Sequence, residues 1–139
     1  MSAKISRELS RHRIEQAKED LKAAKALYDL KLYKSANNRA YYSIFHAIRA
    51  ILALEPIDFK RHKDVLAYFN KNYVSTSIFP RDMGRRIVDA SKIREDSDYD
   101  DEFIVDNETT EKQIKTAEEL IGLVEGYLKN ELNDEGTDI

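Results

Sequence analysis

Apolar residues recur at steps of three and four along most of the chain, which is the repeat of one face of an α-helix. Over residues 6–30 this repeat predicts a surface helix that buries one side. Over residues 35–54 apolar residues cover much of the helix perimeter, and no glycine or proline interrupts them. Because a helix that is apolar nearly all round is normally buried, we predict that this second helix is central.

Two shorter helices are predicted in the middle of the chain. The third covers residues 63–73, where the apolar positions keep a helical spacing. The fourth opens at Pro80, since the missing N–H of proline costs nothing in a first helical turn. The acidic stretch 95–110 has no helical periodicity, and we predict that it forms a loop across the end of the bundle.

A long final helix closes the chain. Thr110 and Gln113 match a capping box, in which two side chains satisfy free backbone N–H groups at a helix start. The helix follows over residues 114–128, and the polar tail 133–139 is expected to fray. The predicted fold class is all-α, an up-and-down four-helix bundle with one additional short helix. No repeat or domain boundary is visible, so residues 1–139 are expected to form a single domain.

Length and composition narrow the class of protein. The 139 residues suit one hydrophobic core, and the absence of cysteine excludes disulfides, thiolate metal sites and cysteine nucleophiles. No apolar run approaches the roughly 20 residues of a membrane span, and the N-terminus continues into charged residues rather than a signal peptide. We therefore expect a cytoplasmic protein without membrane contact.

The charges are divided unevenly along the chain. Residues 1–94 carry 20 Lys and Arg against 10 Asp and Glu, whereas residues 95–139 carry 3 against 16. Such asymmetry indicates either a basic surface that faces a polyanion or an acidic final helix that packs beside basic neighbours. We favour the second interpretation.

Arg39 and His46 on the predicted second helix are the candidate catalytic pair. They are seven residues apart, which places them within about 20° on the helix surface and about 10.5 Å apart along the axis. Arginine offers a permanently charged fork suited to phosphate, and histidine exchanges protons near neutral pH. The pair therefore suits metal-independent RNA cleavage, in which His46 moves a proton and Arg39 stabilises the charged phosphorane.

The distance between Arg39 and His46 sets the main difficulty for this interpretation. Two such side chains reach one phosphate only if they lean towards each other, or if a two-fold dimer brings a second copy alongside. The small residues Ser43, Ala50 and Ala53 on the same strip would permit that approach. The alternative is structural, because a histidine at a helix interface usually only satisfies a hydrogen bond.

Other catalytic patterns are missing from the sequence. His12 and His62 have no obvious partners, and no metal-ligand spacing, Gly-rich phosphate loop or serine triad is present. We therefore predict no metal ion and no cofactor.

Several segments agree in order and spacing with one known family. They are SANNRAYYSIFHAIRAIL at 35–52, IDFKRHKDVLAYFNKNYV at 57–74, IFPRDMGRRIVDASKIREDSDYDD at 78–101 and EKQIKTAEELIGLVEGYL at 111–128. Together they resemble the HEPN domain, and specifically the small single-domain HEPN proteins that are often encoded beside a minimal nucleotidyltransferase. The resemblance covers most of the chain.

The resemblance implies a helical bundle, commonly dimeric, in which an Arg-x4-6-His motif forms a composite site across the dimer interface. Many relatives are metal-independent ribonucleases, including toxins of toxin–antitoxin pairs. In this chain the motif corresponds to Arg39 and His46, with six residues between them. The candidate binding residues around the pair are Asn37, Asn38, Tyr42, Ser43 and Arg49.

One departure from the family pattern favours a second function. Nucleolytic relatives tend to carry a polar residue directly after the arginine, whereas this chain has Ala40. The alternative to a ribonuclease is a non-catalytic nucleotide-binding or adaptor subunit that docks a nucleotidyltransferase partner, which would act as the antitoxin.

Asp98, Tyr99 and Asp100 also match this subgroup of the family. We expect the acidic segment to pair with basic helix ends such as Arg85 or Arg86, which is a structural role. The resemblance also allows the tyrosine to be modified by a partner nucleotidyltransferase.

Overall fold

The computed structural model describes residues 2–136, with side chains up to residue 131, and this part of the chain is helical without any strand. The all-α prediction is confirmed. The helices are α1 (Ala3–Asp29), α2 (Tyr33–Leu52), α3 (His62–Phe69), α4 (Arg81–Tyr99) and α5 (Asn107–Gly136), and α3 continues as a π-helical turn at Asn70–Val74.

Helix α2 lies at the centre, as its apolar perimeter predicts. It contacts α1, α3, α4 and α5. Its interior face is fully buried at Ile44, Ile48 and Ile51, where removal of apolar surface from water stabilises the fold. After the exposed first turn of α2, only a narrow strip of the helix stays partly accessible, and this strip carries the candidate catalytic pair.

A tight turn reverses the chain between α1 and α2. Lys31 adopts a left-handed backbone conformation with φ 62°. Its N–H donates to the Tyr28 carbonyl at 2.9 Å, and the Leu32 N–H donates to the Leu27 carbonyl at 2.9 Å. These are the two bonds of a Schellman cap, which is usually made by glycine. The turn lets α1 run back along α2.

Small polar residues hold α1 and α2 in close contact. Ser10 Oγ donates to the Ala50 carbonyl at 2.6 Å, and Ser43 Oγ donates to the Ala17 carbonyl at 2.7 Å. Ser43 and Ala50 are both fully buried. The prediction that these small residues leave room for a second subunit is therefore wrong, because α1 of the same chain covers them.

Helix α4 extends further than the sequence pattern indicates. Residues 95–99 continue the helix to Tyr99, so the predicted loop at 95–110 is wrong for its first part. An ion pair one turn apart, with Arg94 Nε 3.1 Å from Asp98 Oδ2, supports these extra residues.

Helix α5 begins earlier and ends later than predicted. Asp106 Oδ1 accepts the Thr109 N–H at 2.8 Å and so caps the helix start. Thr110 lies inside the first turn, where its hydroxyl donates to the Asp106 carbonyl, so the capping box with Gln113 is wrong. The helix continues to Gly136, which corrects the fraying expected from residue 133. Residues 137–139 lie outside the described part.

The acidic final helix packs beside basic neighbours, which is the interpretation of the charge distribution that we favour. Lys25 Nζ lies 3.3 Å from Glu118 Oε2, and α5 carboxylates also pair with Lys18 and with Arg86.

Within the described residues no helix is long and apolar enough to cross a membrane.

Gly84 on α4 and Gly122 on α5 provide a matched test of how closely the helices pack. A Cβ at Gly84 would lie 2.9 Å from Val74 Cγ1, whereas at Gly122 it would meet nothing within 4 Å. We expect Gly84→Ala to lower the free energy of unfolding by about 1 kcal/mol, because overpacking outweighs the gain in helix propensity. Gly122→Ala should raise it by ~0.5–1 kcal/mol. Urea unfolding measures both free energies. If the two variants change stability in the same direction, the close packing at Gly84 is contradicted.

Candidate functional site

Arg39 and His46 lean towards the same carboxylate, which belongs to Asp20 on α1. Arg39 Nη1 lies 3.3 Å from Asp20 Oδ1, and His46 Nε2 lies 3.7 Å from Asp20 Oδ2. The Asp20 side chain is 5% exposed, while those of Arg39 and His46 are 40% and 24% exposed. The separation along α2 is thus bridged by one buried group from the neighbouring helix.

Asp20 depends on Arg39 for its charge compensation near neutral pH. Gln16 Nε2 donates to Oδ1 at 3.3 Å, but Oδ2 has no hydrogen-bond partner among the described residues. An isolated buried carboxylate costs several kcal/mol, so the Arg39 guanidinium beside it is needed for stability. The sequence analysis missed Asp20, because only the pairing of α1 with α2 brings it to the motif.

The electrostatic setting of His46 favours its neutral form. Burial lowers the pKa of His46 below its ordinary value, and nearby Arg49, Arg13 and Arg39 lower it further. Asp20 opposes them and raises that pKa. His46 is therefore mainly unprotonated near neutral pH, and a proton that it gains is stabilised by Asp20.

Two arginines from different helices contact the ring of Tyr42. Arg39 Cζ lies 5.0 Å from the ring centroid, which is a cation–π distance. Arg94 on α4 lies 5.7 Å from the same centroid, and its Nη2 donates to the Tyr42 hydroxyl at 3.3 Å. Tyr42 thus contacts two positively charged side chains at the candidate catalytic pair.

A second histidine, His62, lies on the other side of the α2 strip. Its ring stacks on Phe45 with centroids 3.9 Å apart, and its Nδ1 lies 3.2 Å from the Tyr41 hydroxyl. Burial lowers the pKa of His62, and Arg94 and Arg49 lower it further. Sequence analysis found no partner for His62, because its contacts come from a helix that is distant in the chain.

Two further arginines extend the positive surface along α2. Arg13 Nη1 donates to the Arg49 carbonyl at 3.0 Å, and Arg49 Cζ lies 5.7 Å from the Phe45 centroid. Burial lowers the pKa of Arg13, and the charge of Arg49 lowers it further. We call this surface the arginine–histidine patch; it comprises Arg13, Arg39, His46, Arg49, His62 and Arg94.

The other candidate binding residues fall into two groups. Tyr42 and Arg49 lie at the arginine–histidine patch, and Asn38 Oδ1 accepts a hydrogen bond from Arg39 Nη2 at 3.0 Å. Asn37 and Ser43 are buried in the interior, so the structure does not bring their side chains to the accessible strip.

The segment Asp98, Tyr99 and Asp100 lies at the end of α4. Asp98 pairs with Arg94, Tyr99 is 82% exposed, and Asp100 Oδ1 accepts the Glu102 N–H at 3.0 Å. The expected pairing of this segment with Arg85 or Arg86 is wrong. Those two arginines instead pair with the α4 and α5 carboxylates of Asp82 and Glu119.

Comparison with known proteins defines the class to which this helical chain and its arginine–histidine pair belong. The family model of the HEPN domain matches residues 10–127. The chain therefore belongs to the HEPN family.

Three relatives match most of the chain. A Methanocaldococcus jannaschii protein named "Putative toxin MJ0142" is 31% identical over 97% of this chain and 92% of its own length. A second protein of that organism, "Putative toxin MJ0605", is 34% identical over 84% of this chain and 86% of its own length. A Thermotoga maritima "UPF0332 protein" is 29% identical over 83% of this chain and 87% of its own length.

Asp20→Asn tests the electrostatic role of the buried carboxylate. Since Asp20 is the group that raises the pKa of His46 against burial and the arginines, its neutralisation should lower that pKa. NMR of the imidazole protons against pH measures the change. Asp82→Asn is the matched control, because its carboxylate pairs with Arg85 and Arg86 instead. An unchanged His46 pKa in Asp20→Asn would contradict the proposed contact.

Proposed function

We propose that this HEPN protein is a toxin or RNA-processing enzyme that cleaves RNA without a metal ion and acts as a homodimer of up-and-down bundles. The observation that carries the proposal is the convergence of Arg39 and His46 on the buried Asp20 carboxylate. A phosphodiester that binds there meets a fixed positive charge and a proton-transfer group together. The toxin role is supported by the names of the two M. jannaschii relatives.

The chemistry of the pair suits intramolecular attack by a ribose 2′-hydroxyl. The 2′-oxygen forms a bond to phosphorus, the bond to the 5′-oxygen breaks, and the products are a 2′,3′-cyclic phosphate and a 5′-hydroxyl. Arg39 stabilises the charge that develops on the phosphorane oxygens, and His46 transfers one of the two protons. Each of these two contributions is typically worth about 100-fold or more in rate.

The remaining patch residues hold the RNA on either side of the reacting phosphate. Arg13 and Arg49 extend the positive charge along α2, and Arg94 extends it towards α4. Asn38 and Tyr42 keep the Arg39 guanidinium in place by a hydrogen bond and a cation–π contact. In a two-fold dimer, the equivalent strips of two copies would form one longer RNA track.

His46→Ala and Arg39→Ala test the proposed cleavage. The wild type should cleave members of a panel of labelled RNAs in the presence of EDTA and leave cyclic phosphate ends. Each variant should be at least ~100-fold slower, because it removes either proton transfer or phosphorane stabilisation. Gel analysis of the fragments and mass spectrometry of their ends give the rates and products.

Matched controls for these variants are present in the same chain. His12 and Arg81 are exposed residues outside the arginine–histidine patch, so His12→Ala and Arg81→Ala should cleave at the wild-type rate. Circular dichroism establishes that all variants are folded. Equal rates for the wild type and His46→Ala on every RNA would exclude the catalytic role.

A second candidate function is a non-catalytic adaptor that binds nucleotide and docks a minimal nucleotidyltransferase, which would be its antitoxin. The observation that favours it is the position of Ala40, which is fully buried and packs with Ala24 and Ile114. The residue after Arg39 therefore offers no polar group to a reacting phosphate.

Inducible expression of the wild type and of His46→Ala separates the two functions. A ribonuclease toxin should arrest growth of the host cell and degrade its RNA, and both effects should require His46. An adaptor should leave the growth of the host cell unchanged, whether the wild type or His46→Ala is expressed. It should bind ATP and form a stable complex with a minimal nucleotidyltransferase in gel filtration. A chain that shows neither binding nor complex formation is not the adaptor.

A further inference from the structure

We propose that His62 is a substrate-binding residue whose neutral imidazole donates a hydrogen bond from Nε2 to the RNA phosphate next to the one that is cleaved. The inference rests on the proposed function and adds to it a contact that holds the strand without carrying charge. His62 takes no part in proton transfer, which stays with His46.

The Tyr41 hydroxyl decides which ring nitrogen of His62 carries the proton. This hydroxyl lies 3.2 Å from His62 Nδ1, and Tyr41 is buried. Burial raises the pKa of Tyr41, so the tyrosine keeps its proton, and Ser91 on α4 opposes that shift by donating to the tyrosine oxygen. Since that oxygen accepts from Ser91, the tyrosine O–H donates to Nδ1. The proton of the neutral ring is therefore on Nε2.

The ring of His62 is held in one orientation by two aromatic neighbours on α2. It stacks on Phe45 with centroids 3.9 Å apart and an angle of 23° between the planes. It meets Tyr42 edge to face, at 5.9 Å and 86°. Together with the bond from Tyr41, these contacts fix the direction of the Nε2–H bond. A donor that is already oriented loses little entropy when a ligand binds.

Nε2 of His62 is left without a partner in the protein. No described residue hydrogen bonds to it, and the buried side-chain atoms that lack a partner do not include it, so solvent reaches this nitrogen. Because it carries the proton of a neutral ring, it can donate to a ligand oxygen but cannot remove a proton. The position therefore fits a hydrogen-bond acceptor as its ligand.

The charges around His62 select an anion among the possible acceptors. Burial lowers the pKa of His62, and the charges of Arg94 on α4 and Arg49 on α2 lower it further. The other titratable groups that contact the ring are Tyr41 and Tyr42, and no carboxylate is among the groups that shift its pKa. The ring is thus neutral in a positive field, which favours a phosphate oxygen over an uncharged acceptor.

His62 lies close to the Arg39–His46 pair. The Tyr42 centroid is 5.0 Å from Arg39 Cζ and 6.2 Å from the His46 centroid, in addition to its contact with His62. Phe45 contacts both histidines, with centroids 5.8 Å and 3.9 Å away, so the two imidazoles are less than 10 Å apart. One RNA strand therefore contacts both positions with neighbouring phosphates.

The charged neighbours show that the two histidines form separate anion positions. Asp20 acts on the pKa of His46 but not on that of His62, and Arg94 acts on His62 alone. Arg49 is the one charged group that shifts both. A phosphate at His62 is thus paired with Arg94, whereas the reacting phosphate is paired with Arg39.

Binding of an RNA that cannot be cleaved tests the donor directly. The probe is a labelled single strand with 2′-O-methyl groups throughout, of a sequence that the wild type cleaves when unmodified, or of mixed sequence if none is cleaved. His62→Phe keeps a ring to stack on Phe45 but removes the donor, so its Kd in fluorescence anisotropy should be at least ~10-fold higher.

Two further variants control for lost packing. The amide of His62→Gln can accept from Tyr41 and donate outwards, so its Kd should stay within about 3-fold of wild type. His12→Phe alters an exposed histidine outside the arginine–histidine patch and should bind like the wild type. Equal weakening in His62→Phe and His62→Gln would overturn the donor role, because lost packing would then explain both.

The salt dependence of binding separates a neutral donor from a cation. For single strands, log affinity falls with log salt by about 0.7 for each positive charge on a phosphate. At pH 8, His62→Phe should weaken binding and leave this slope unchanged, whereas Arg49→Ala should reduce it by about 0.7. A reduced slope in His62→Phe would overturn the inference, since His62 would then bind as an imidazolium.

NMR of protein labelled with 15N in histidine measures the tautomer. At pH 8, long-range correlations from the ring protons of His62 should show the proton on Nε2 and none on Nδ1. A proton on Nδ1 would overturn the inference, because Nε2 could then not donate.

Cleavage of the unmodified RNA separates this inference from the proposed function. His62→Phe should raise KM at least ~10-fold and keep kcat within about 3-fold, because the contact is made equally in the ground state and the transition state. Loss of kcat at an unchanged KM would overturn the assignment, since His62 would then act on the reacting phosphate.

The remaining outcomes identify which of the two proposals fails. If the wild type neither binds nor cleaves RNA, both fail. If it cleaves RNA and His62→Phe binds like the wild type, the proposed function stands and the role of His62 is overturned. If RNA binds through the His62 donor without being cleaved, the ribonuclease is excluded and the binding role stands.

Discussion

The buried carboxylate of Asp20 is the constraint on which the arrangement of the site depends. Removal of a carboxylate from water costs several kcal/mol unless cations and hydrogen-bond donors compensate it. Arg39 provides that compensation from α2 at 3.3 Å, and His46 lies 3.7 Å from the other carboxylate oxygen, where it adds to the compensation when it is protonated. Both side chains therefore lie against one buried carboxylate in the free protein. Preorganised charge of this kind stabilises a transition state without reorganisation at the moment of reaction.

The contact between α1 and α2 in turn keeps Asp20 in its place. The left-handed turn at Lys31 directs α1 back along α2, and Ser10 and Ser43 bond carbonyls across the interface. Because short serine side chains make these bonds, the two backbones lie close together. A buried carboxylate on α1 then sits directly against the motif of α2. Close helix packing and the geometry of the candidate site are consequences of the same contact.

The sequence predicts those parts of the molecule that depend on local periodicity. The apolar perimeter of α2 marks it as central, and the spacing of Arg39 and His46 places them on one strip. Asp20 and His62 could not be found in this way, because they reach that strip from other helices. The predicted helix ends are wrong for a related reason. Thr110 and Asp106 both offer a cap for α5, and only the packing of the whole chain selects Asp106.

The uneven charge of residues 1–94 and residues 95–139 affects the arginine–histidine patch. Carboxylates of α5 are paired with Lys18, Lys25 and Arg86, so they do not neutralise the arginines of α2. Arg13 and Arg49 are held together by a hydrogen bond from guanidinium to carbonyl, and the charge of Arg49 contributes to the lowered pKa of Arg13. This repulsion persists in the free protein. Under the proposed function, a bound phosphodiester would relieve this repulsion, because it would place a negative charge beside both guanidinium groups.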